Sequence, residues 1–339
     1  MKFVNKLAAG KTISWKDLKP YKALSRADAK ETEWQFAPVL VSSNRERLEI
    51  VHQKSILFAK LHKTHVFKWR NDAKNWKNKP EDPSFLYEEN AMLWQYFVCG
   101  SEAFITKNVN PSLGLANGTP VVCHSLVLDP DKHNCEEIQR KIATLPYGSE
   151  IILDTAPLAV NMKVESGLDG KTPSRAKKRQ LKALKKHSIP SDVADDIVIS
   201  LSVKSDRTKS LKMKNGCPLL GHITAVDITP ILAYDLAFAM TVHKAQGRTI
   251  KRVVIALTSR PLHRIELKYA SVFVGMSRVT DRNHIRLLEH GKDSTVGKRA
   301  DALEYLSGLL PHKNINIYNA GFKNGNGIWS KEMSLKAKF

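Results

Sequence analysis

Between Val39 and Asn44 the chain reads Val-Leu-Val-Ser-Ser-Asn, a short apolar run closed by a polar turn, which is the pattern of a buried strand. A helix is predicted from about Arg45 to Leu61, where Leu48, Val51, Ser55 and Phe58 recur near one face. Strand followed by helix is an α/β unit. Upstream, Phe3 to Leu24 predicts two short helices around Gly10, the second opening near Thr12 to Trp15. The α/β pattern returns after Pro230. Asp235 is placed to cap a helix running to Gln246, which Gly247 can end in the left-handed conformation. Arg252 to Leu257 predicts a strand, Leu267 to Arg278 a helix, and His284 to Leu288 another strand. In between, from about Gly118 to Ile231, short apolar runs alternate with turn residues, Val121 to Leu128 and Glu150 to Leu153 among them, as in a small β-rich module. The tail from Pro311 is rich in Asn, Gly and Lys and is expected to be weakly ordered despite Trp329. The patterns divide the chain into a helical lead-in (1–34), an α/β domain in two pieces (35–117 and 232–290), an inserted β-rich module (118–231) and a C-terminal extension (291–339).

Charge adds a partner to this picture. Lys and Arg number 54 against 33 Asp and Glu, a formal net charge of +21 with a pI near 9.7. That excess points to a polyanion. It is spread through folded-looking sequence and not gathered on an amphipathic tail, so nucleic acid is favoured over a membrane surface. Two stretches concentrate it. From His62 to Pro83, Phe67, Trp69 and Trp76 alternate with Lys63, Lys68, Arg70, Lys74, Lys77 and Lys79, an interleaving that can stack bases while neutralising phosphates; a surface loop with docked tryptophans gives the same pattern. Residues 170–187 pack eight Lys and Arg, from Lys171 to Lys186, around few apolar positions, as in an exposed helix or a disordered excursion. Such a segment can bind nucleic acid, serve as a nuclear-import address, or be a solvated insertion.

Cys99, Cys123, Cys135 and Cys217 are too scattered for a disulfide framework or a zinc ribbon, and no His and acidic residues cluster at metal-ligand spacing. No run approaches the length of a membrane span, and Met1 to Gly10 lacks the apolar core of a signal peptide. A soluble intracellular protein is expected, with nothing to select nucleus, mitochondrion or cytoplasm.

The segment richest in chemistry is Ala237-Phe238-Ala239-Met240-Thr241-Val242-His243-Lys244-Ala245-Gln246-Gly247-Arg248-Thr249. An element ending in His, Lys, Gln and Gly at a sheet edge presents donors to phosphate oxygens, and glycine permits close backbone approach. About thirty residues on, Tyr269-Ala270-Ser271-Val272-Phe273-Val274-Gly275-Met276-Ser277-Arg278-Val279 is an apolar helix with an arginine at its end, where a guanidinium can reach a phosphate. A third segment runs from Ala103-Phe104-Ile105-Thr106-Lys107-Asn108-Val109-Asn110-Pro111 to Leu115-Ala116-Asn117-Gly118-Thr119, with Asn117-Gly118 a hairpin signal.

In this order the three segments resemble the C-terminal half of superfamily 1 DNA helicases of the PIF/RecD type. The first resembles that family's fifth motif, T-V-H-K-x-Q-G behind an apolar run, matched at every defined position. The second resembles the sixth motif, Y-V-A-L-S-R, with Gly275 where alanine is common and Met276 where leucine is common. The third resembles the stretch leading into the family's inserted barrel. The resemblance covers most of Phe3 to Glu289 and is weakest from Cys135 to Met213. It implies an α/β, RecA-like second motor domain split by a small β-barrel-like module, with 1–34 trailing from a first motor domain. It further implies Arg278 as the finger that touches the ATP γ-phosphate, with Gln246 and Gly247 beside the nucleotide. Contacts to single-stranded DNA or DNA junctions are implied at Asn44, Thr106, Asn108, Thr241, His243, Lys244 and Thr249, to which the basic aromatic stretch adds Trp69 and Trp76.

A phosphate-binding loop needs G-x-x-x-x-G-K-[ST] after a buried strand. Gly10-Lys11-Thr12 is the nearest approach and fails, because Asn5 stands at the first glycine position and Met1 to Val4 is too short for the strand. Leu153-Asp154 ends an apolar run like a magnesium-binding acid, but Thr155 stands where a second acid is expected. ATP and Mg2+ are therefore expected only together with a first motor domain, which a truncated gene, a separate polypeptide or a helicase relic would each leave outside this sequence. The polarity implied by the resemblance is 5′ to 3′. A non-catalytic nucleic-acid-binding relic is the alternative reading.

Overall fold

The computed structural model describes residues 2–79, 81–164, 175–190, 196–202, 209–214, 223–256, 268–288, 308–322 and 329–336. Residues 170–174 of the basic stretch and 289–307 of the extension lie outside the described residues. The chain opens with α1 (Lys2–Ala8), α2 (Trp15–Leu18), β1 (Lys22–Ala23), α3 (Thr32–Gln35), β2 (Val39–Val41) and α4 (Asn44–Leu61). Then come β3 (Val66–Arg70), β4 (Asp72–Lys77), α5 (Ser84–Glu89), β5 (Trp94–Val98), β6 (Glu102–Ile105) and β7 (Pro120–Val127). Next are α6 (Cys135–Thr144), β8 (Glu150–Leu153), β9 (Ala159–Val164), α7 (Arg175–Lys185), β10 (Val198–Leu201), β11 (Lys209–Lys214), β12 (Ile223–Thr229) and β13 (Tyr234–Leu236). The last are β14 (Ala239–Thr241), α8 (Val242–Ala245), β15 (Val253–Ala256), α9 (Tyr269–Met276), β16 (Ile285–Leu288), α10 (Lys313–Ala320) and α11 (Lys331–Lys336).

Contacts group these elements into two units, 1–47 with 239–339, and 48–238. The first is the expected α/β fold, a five-stranded sheet in the order β1-β16-β15-β2-β14 in which every pair is parallel. All of β2, β14 and β15 is buried, as the continuous Val-Leu-Val and Val-Val-Ile-Ala runs require of strands covered on both faces. Helix α9 lies close on the sheet because residue 275 is glycine; a Cβ there would meet Ile255 Cδ1 at 3.2 Å. Its first residue, Tyr269, donates its hydroxyl to the Lys11 carbonyl at 2.6 Å, with the Leu7 carbonyl 3.1 Å away. Gly10, at φ 67°, ends α1 and bonds back to Leu7, so the Gly-Lys-Thr triplet follows a helix and does not link a strand to one.

Three expectations change in this unit and at its junction with the other. The helix foreseen from Asp235 to Gln246 is replaced by β13, β14 and the single turn of α8. An apolar run this short fits strand or helix by periodicity alone, and the register Ala239↔Val39 to Thr241↔Val41 decides for a strand. The lead-in is not wholly helical, since β1 joins the sheet edge against β16. In the tail, α10 and α11 form where weak order was expected: Asn319 Nδ2 donates to Ala8 O at 2.9 Å, and Ser334 Oγ to Ile317 O at 2.8 Å. Trp329 donates to Tyr318 O at 3.1 Å and stacks on the Tyr318 ring.

The second unit holds three sheets, ordered β10-β9-β7-β6-β13, β11-β12-β4 and β5-β3-β8. Each mixes strands from 118–231 with strands outside that span: β7 pairs β6, β12 pairs β4, and β8 pairs β3. Glu150, at the start of β8, accepts hydrogen bonds from His52 Nε2 and Lys68 Nζ, both at 2.6 Å. Burial works to raise its pKa, but the His52 and Lys68 bonds outweigh burial and bring it down to about 2. A carboxylate depressed on folding stabilises the native state above its unfolded pKa, so this contribution should be complete above about pH 4.5 and lost as the pH falls toward roughly 2. Glu150→Gln should therefore lower the urea midpoint at neutral pH while flattening its fall with acid. An equal drop in midpoint at every pH would contradict this assignment.

Candidate functional site

The parallel ladder between β2 and β14 ends at Val41 and Thr241, so the two following segments leave the sheet from the same C-terminal edge. In open α/β sheets ligands bind at this edge. After β2, Ser43 caps α4: its Oγ accepts from the Glu46 N–H at 3.1 Å and its carbonyl from the Arg47 N–H. Ser43-Asn44-Arg45-Glu46 is thus a capping-box sequence, a start signal that places Asn44 in the first helical turn. The Asn44 Oδ1 is buried with no hydrogen-bond partner. After β14, α8 makes one turn and Gly247 reverses the chain at φ 77°. A Cβ at Gly247 would meet nothing within 4 Å, so the backbone conformation, not crowding, favours glycine there.

Around this turn His243, Gln246, Gly247 and Thr249 are exposed, Lys244 is half-buried and Thr241 is buried. Arg278 joins them from the end of α9. Its Nε donates to Val274 O at 2.9 Å and its Nη1 lies 3.3 Å from Arg248 O and 3.5 Å from Ala245 O. Nη2 donates to Ser277 Oγ at 2.6 Å, and Ile250 N–H donates to the Arg278 carbonyl at 2.8 Å. The guanidinium therefore sits on carbonyls at the C-terminal ends of two helices, where a cation is favoured, and ties the Gly247 turn to α9. Ser277 and Arg248 were not singled out from the sequence. Nothing in their types marks them, since Ser277 acts by its hydroxyl and Arg248 by its backbone carbonyl.

The structure thus gathers Asn44, Thr241, His243, Lys244, Gln246, Gly247, Thr249 and Arg278 within one unit. Trp69, Trp76, Thr106 and Asn108 belong to the other. Trp69 is corrected: it is fully buried on β3 and donates its indole N–H to its cross-strand neighbour Gln95 at 3.2 Å, so it has no face to offer a base. Trp76 on β4 is half-buried, with Lys79 Nζ 5.8 Å from its ring. Thr106 is 7% exposed, and its N–H donates to Ala233 O. Asn108 is exposed and its side chain accepts from the Asn117 N–H at 2.9 Å, bracing the turn between β6 and β7.

The fit of this edge to a nucleotide rests on its donors. An open glycine turn, an exposed amide at Gln246 and a guanidinium are donors of the kind that bind phosphate oxygens. Among the described residues no group of three or more His, Cys, Asp or Glu is arranged to hold a metal ion. Nor, among those residues, is any helix long and apolar enough to cross a membrane.

Residues 223–306 match the profile of the Herpes helicase family, described as a helicase, and that segment contains both the 237–249 and the 269–279 motifs. No curated protein sequence matches significantly. Among solved structures, Pif1 helicase from Candida albicans is similar at 14% identity and a TM-score of 0.45, over 93% of this chain and 56% of that one. Bacteroides Pif1 in complex with ADP-AlF3 and single-stranded DNA is similar at 12% identity and a TM-score of 0.47, over 97% of this chain and 55% of that one. The chain spans about half the length of these proteins.

Proposed function

We propose that the chain supplies the second motor domain of a PIF-like superfamily 1 DNA helicase. The observation that carries this reading is the convergence of Asn44, the Thr241–Thr249 turn and Arg278 at one edge of a parallel sheet, the turn and Arg278 lying within a segment that matches a helicase family. In this reading ATP and its magnesium are held with a first motor domain, carried by more of the same polypeptide or by a separate one. ATP supplies the free energy that opens and closes the cleft between the two domains. Gln246 and the Gly247 turn face the nucleotide, Arg278 reaches the γ-phosphate, and His243, Lys244, Thr249 and Asn44 line the DNA side. Unwinding would run 5′ to 3′. The chain alone is inactive as an ATPase but binds single-stranded DNA.

Binding by the chain is the direct test. Anisotropy of a labelled oligo(dT) should report salt-sensitive binding, with log K falling by about 0.7 per decade of salt for each phosphate contacted. Absence of binding at low salt, or ATP turnover by the chain alone, would defeat the reading. A non-catalytic binding relic predicts the same binding but no ATPase when a first motor domain is supplied.

A further inference from the structure

Helix α7 separates its residues into two faces. Arg175, Lys178, Arg179, Lys182 and Lys185 share one face, linked by three- and four-residue spacings (175 to 178 and 179, 178 and 179 to 182, 182 to 185), and all are exposed, as is Lys186 just past the helix. The opposite face is the docked one. Leu184 is 2% exposed, and the Gln180 side chain lies against Gly114, where an added Cβ would meet its Oε1 at 3.1 Å. Gly114, at φ 77°, belongs to the Asn110–Leu115 turn. The helix is therefore fixed on the loop between β6 and β7, the loop that also presents Asn108.

No Asp or Glu occurs from Lys171 to His187. Like charges at three- and four-residue spacing on a helix repel. A solvated face gains nothing from such an arrangement, whereas a polyanion laid along it relieves the repulsion and releases its own counterions. Arg175, Lys178, Lys182 and Lys185 stand about one helical turn, roughly 5 Å, apart along the axis, which suits a linear row of phosphates better than a single compact anion.

We propose that α7 is a phosphate-binding ridge that takes the backbone of single-stranded DNA, a nucleic-acid contact carried by the second unit itself. The proposal rests on the reading of the chain as DNA-binding and goes beyond the helicase motifs, since α7 lies outside all three.

The test compares three full-length proteins, the unaltered chain, Arg179→Glu/Lys182→Glu, and Lys16→Glu/Lys19→Glu, whose replaced lysines are exposed on the other unit. Oligo(dT) affinity of the α7 variant should fall at least about tenfold, and its salt slope should become shallower by roughly 1.4, two contacts' worth. The Lys16/Lys19 variant carries the same change in net charge and should bind nearly as the unaltered chain does. Equal losses in the two variants would make the effect one of overall charge and overturn the proposal. Undiminished binding by the α7 variant would overturn it while leaving the proposed function standing; failure of the unaltered chain to bind would remove both. Lysine acetylation footprinting of the unaltered chain gives an answer independent of any variant's folding. Oligo(dT) should protect Lys178 and Lys182 but not Lys16 and Lys19, and modification of Lys178 and Lys182 at an unchanged rate under saturating oligo(dT) would refute the ridge.

Discussion

Arg278→Ala, made in a protein that also carries the first motor domain, is expected to reduce single-strand-stimulated ATP turnover by about 10³-fold or more, the range typical of an arginine finger. The guanidinium lies at the proposed nucleotide edge, on the carbonyls of Val274 and Arg248. To reach a γ-phosphate it must exchange those neutral acceptors for charged oxygens, an exchange favoured because charge-assisted bonds are the stronger. Arg278→Lys should rescue little, since lysine keeps the charge but loses the planar fork. Because Arg278 also ties α9 to the Gly247 turn, urea unfolding of the same variants should separate loss of chemistry from loss of packing: a modest shift in midpoint beside a large loss of turnover supports the finger. Single-strand affinity without nucleotide should change little. Full turnover with lost DNA binding would assign the arginine to the DNA and undo the sixth-motif reading.

The second large effect concerns stability. Trp69→Ala should cost about 3–5 kcal/mol, the usual range for deleting a buried tryptophan. It empties a fully buried site and strips the Gln95 Oε1 of one donor, although the Leu232 N–H still reaches that oxygen at 3.0 Å. Trp76→Ala, at a half-buried position, should cost far less in unfolding. If its ring stacks on a base, the variant should weaken oligo(dT) binding by roughly 1–3 kcal/mol. An unchanged urea midpoint for Trp69→Ala would contradict the burial assigned to it.

The two tryptophans show what the sequence could not say. Alternation of basic and aromatic residues from His62 to Pro83 is the same whether a ring faces solvent or a core. Which one turns inward depended on β3 lying between β5 and β8, with Gln95 opposite Trp69. Strand β2, helix α4 and helix α9 were legible because each is set by local residues: a continuous apolar run, a face repeating through Leu48, Val51, Ser55 and Phe58, an apolar stretch ending in Ser-Arg. The Asp235–Gln246 helix misled because the apolar run Leu236–Met240 crosses from one unit to the other, and only pairing with a strand far back in the chain fixes its conformation. The site motifs were legible as types of residue, whereas the seating of Arg278 on backbone carbonyls was not, since carbonyls leave no mark in a sequence.

The pairing of β2 with β14 also bears on how the protein is made. These strands are direct neighbours, yet the whole of 48–238 lies between them in the chain. A ribosome therefore releases β2 long before β14 or its other neighbour β15 exists, and its buried Val-Leu-Val backbone must wait without a ladder on either side. Closing so long a loop of unfolded chain is entropically costly, by about 0.6 kcal/mol for every doubling of its length, and non-local pairing of this kind slows folding. Prior collapse of the intervening unit would shorten the effective loop. The nested unit is thus expected to act as an internal folding aid, and lesions in its core, Trp69 among them, to delay assembly of a sheet that belongs to the other unit.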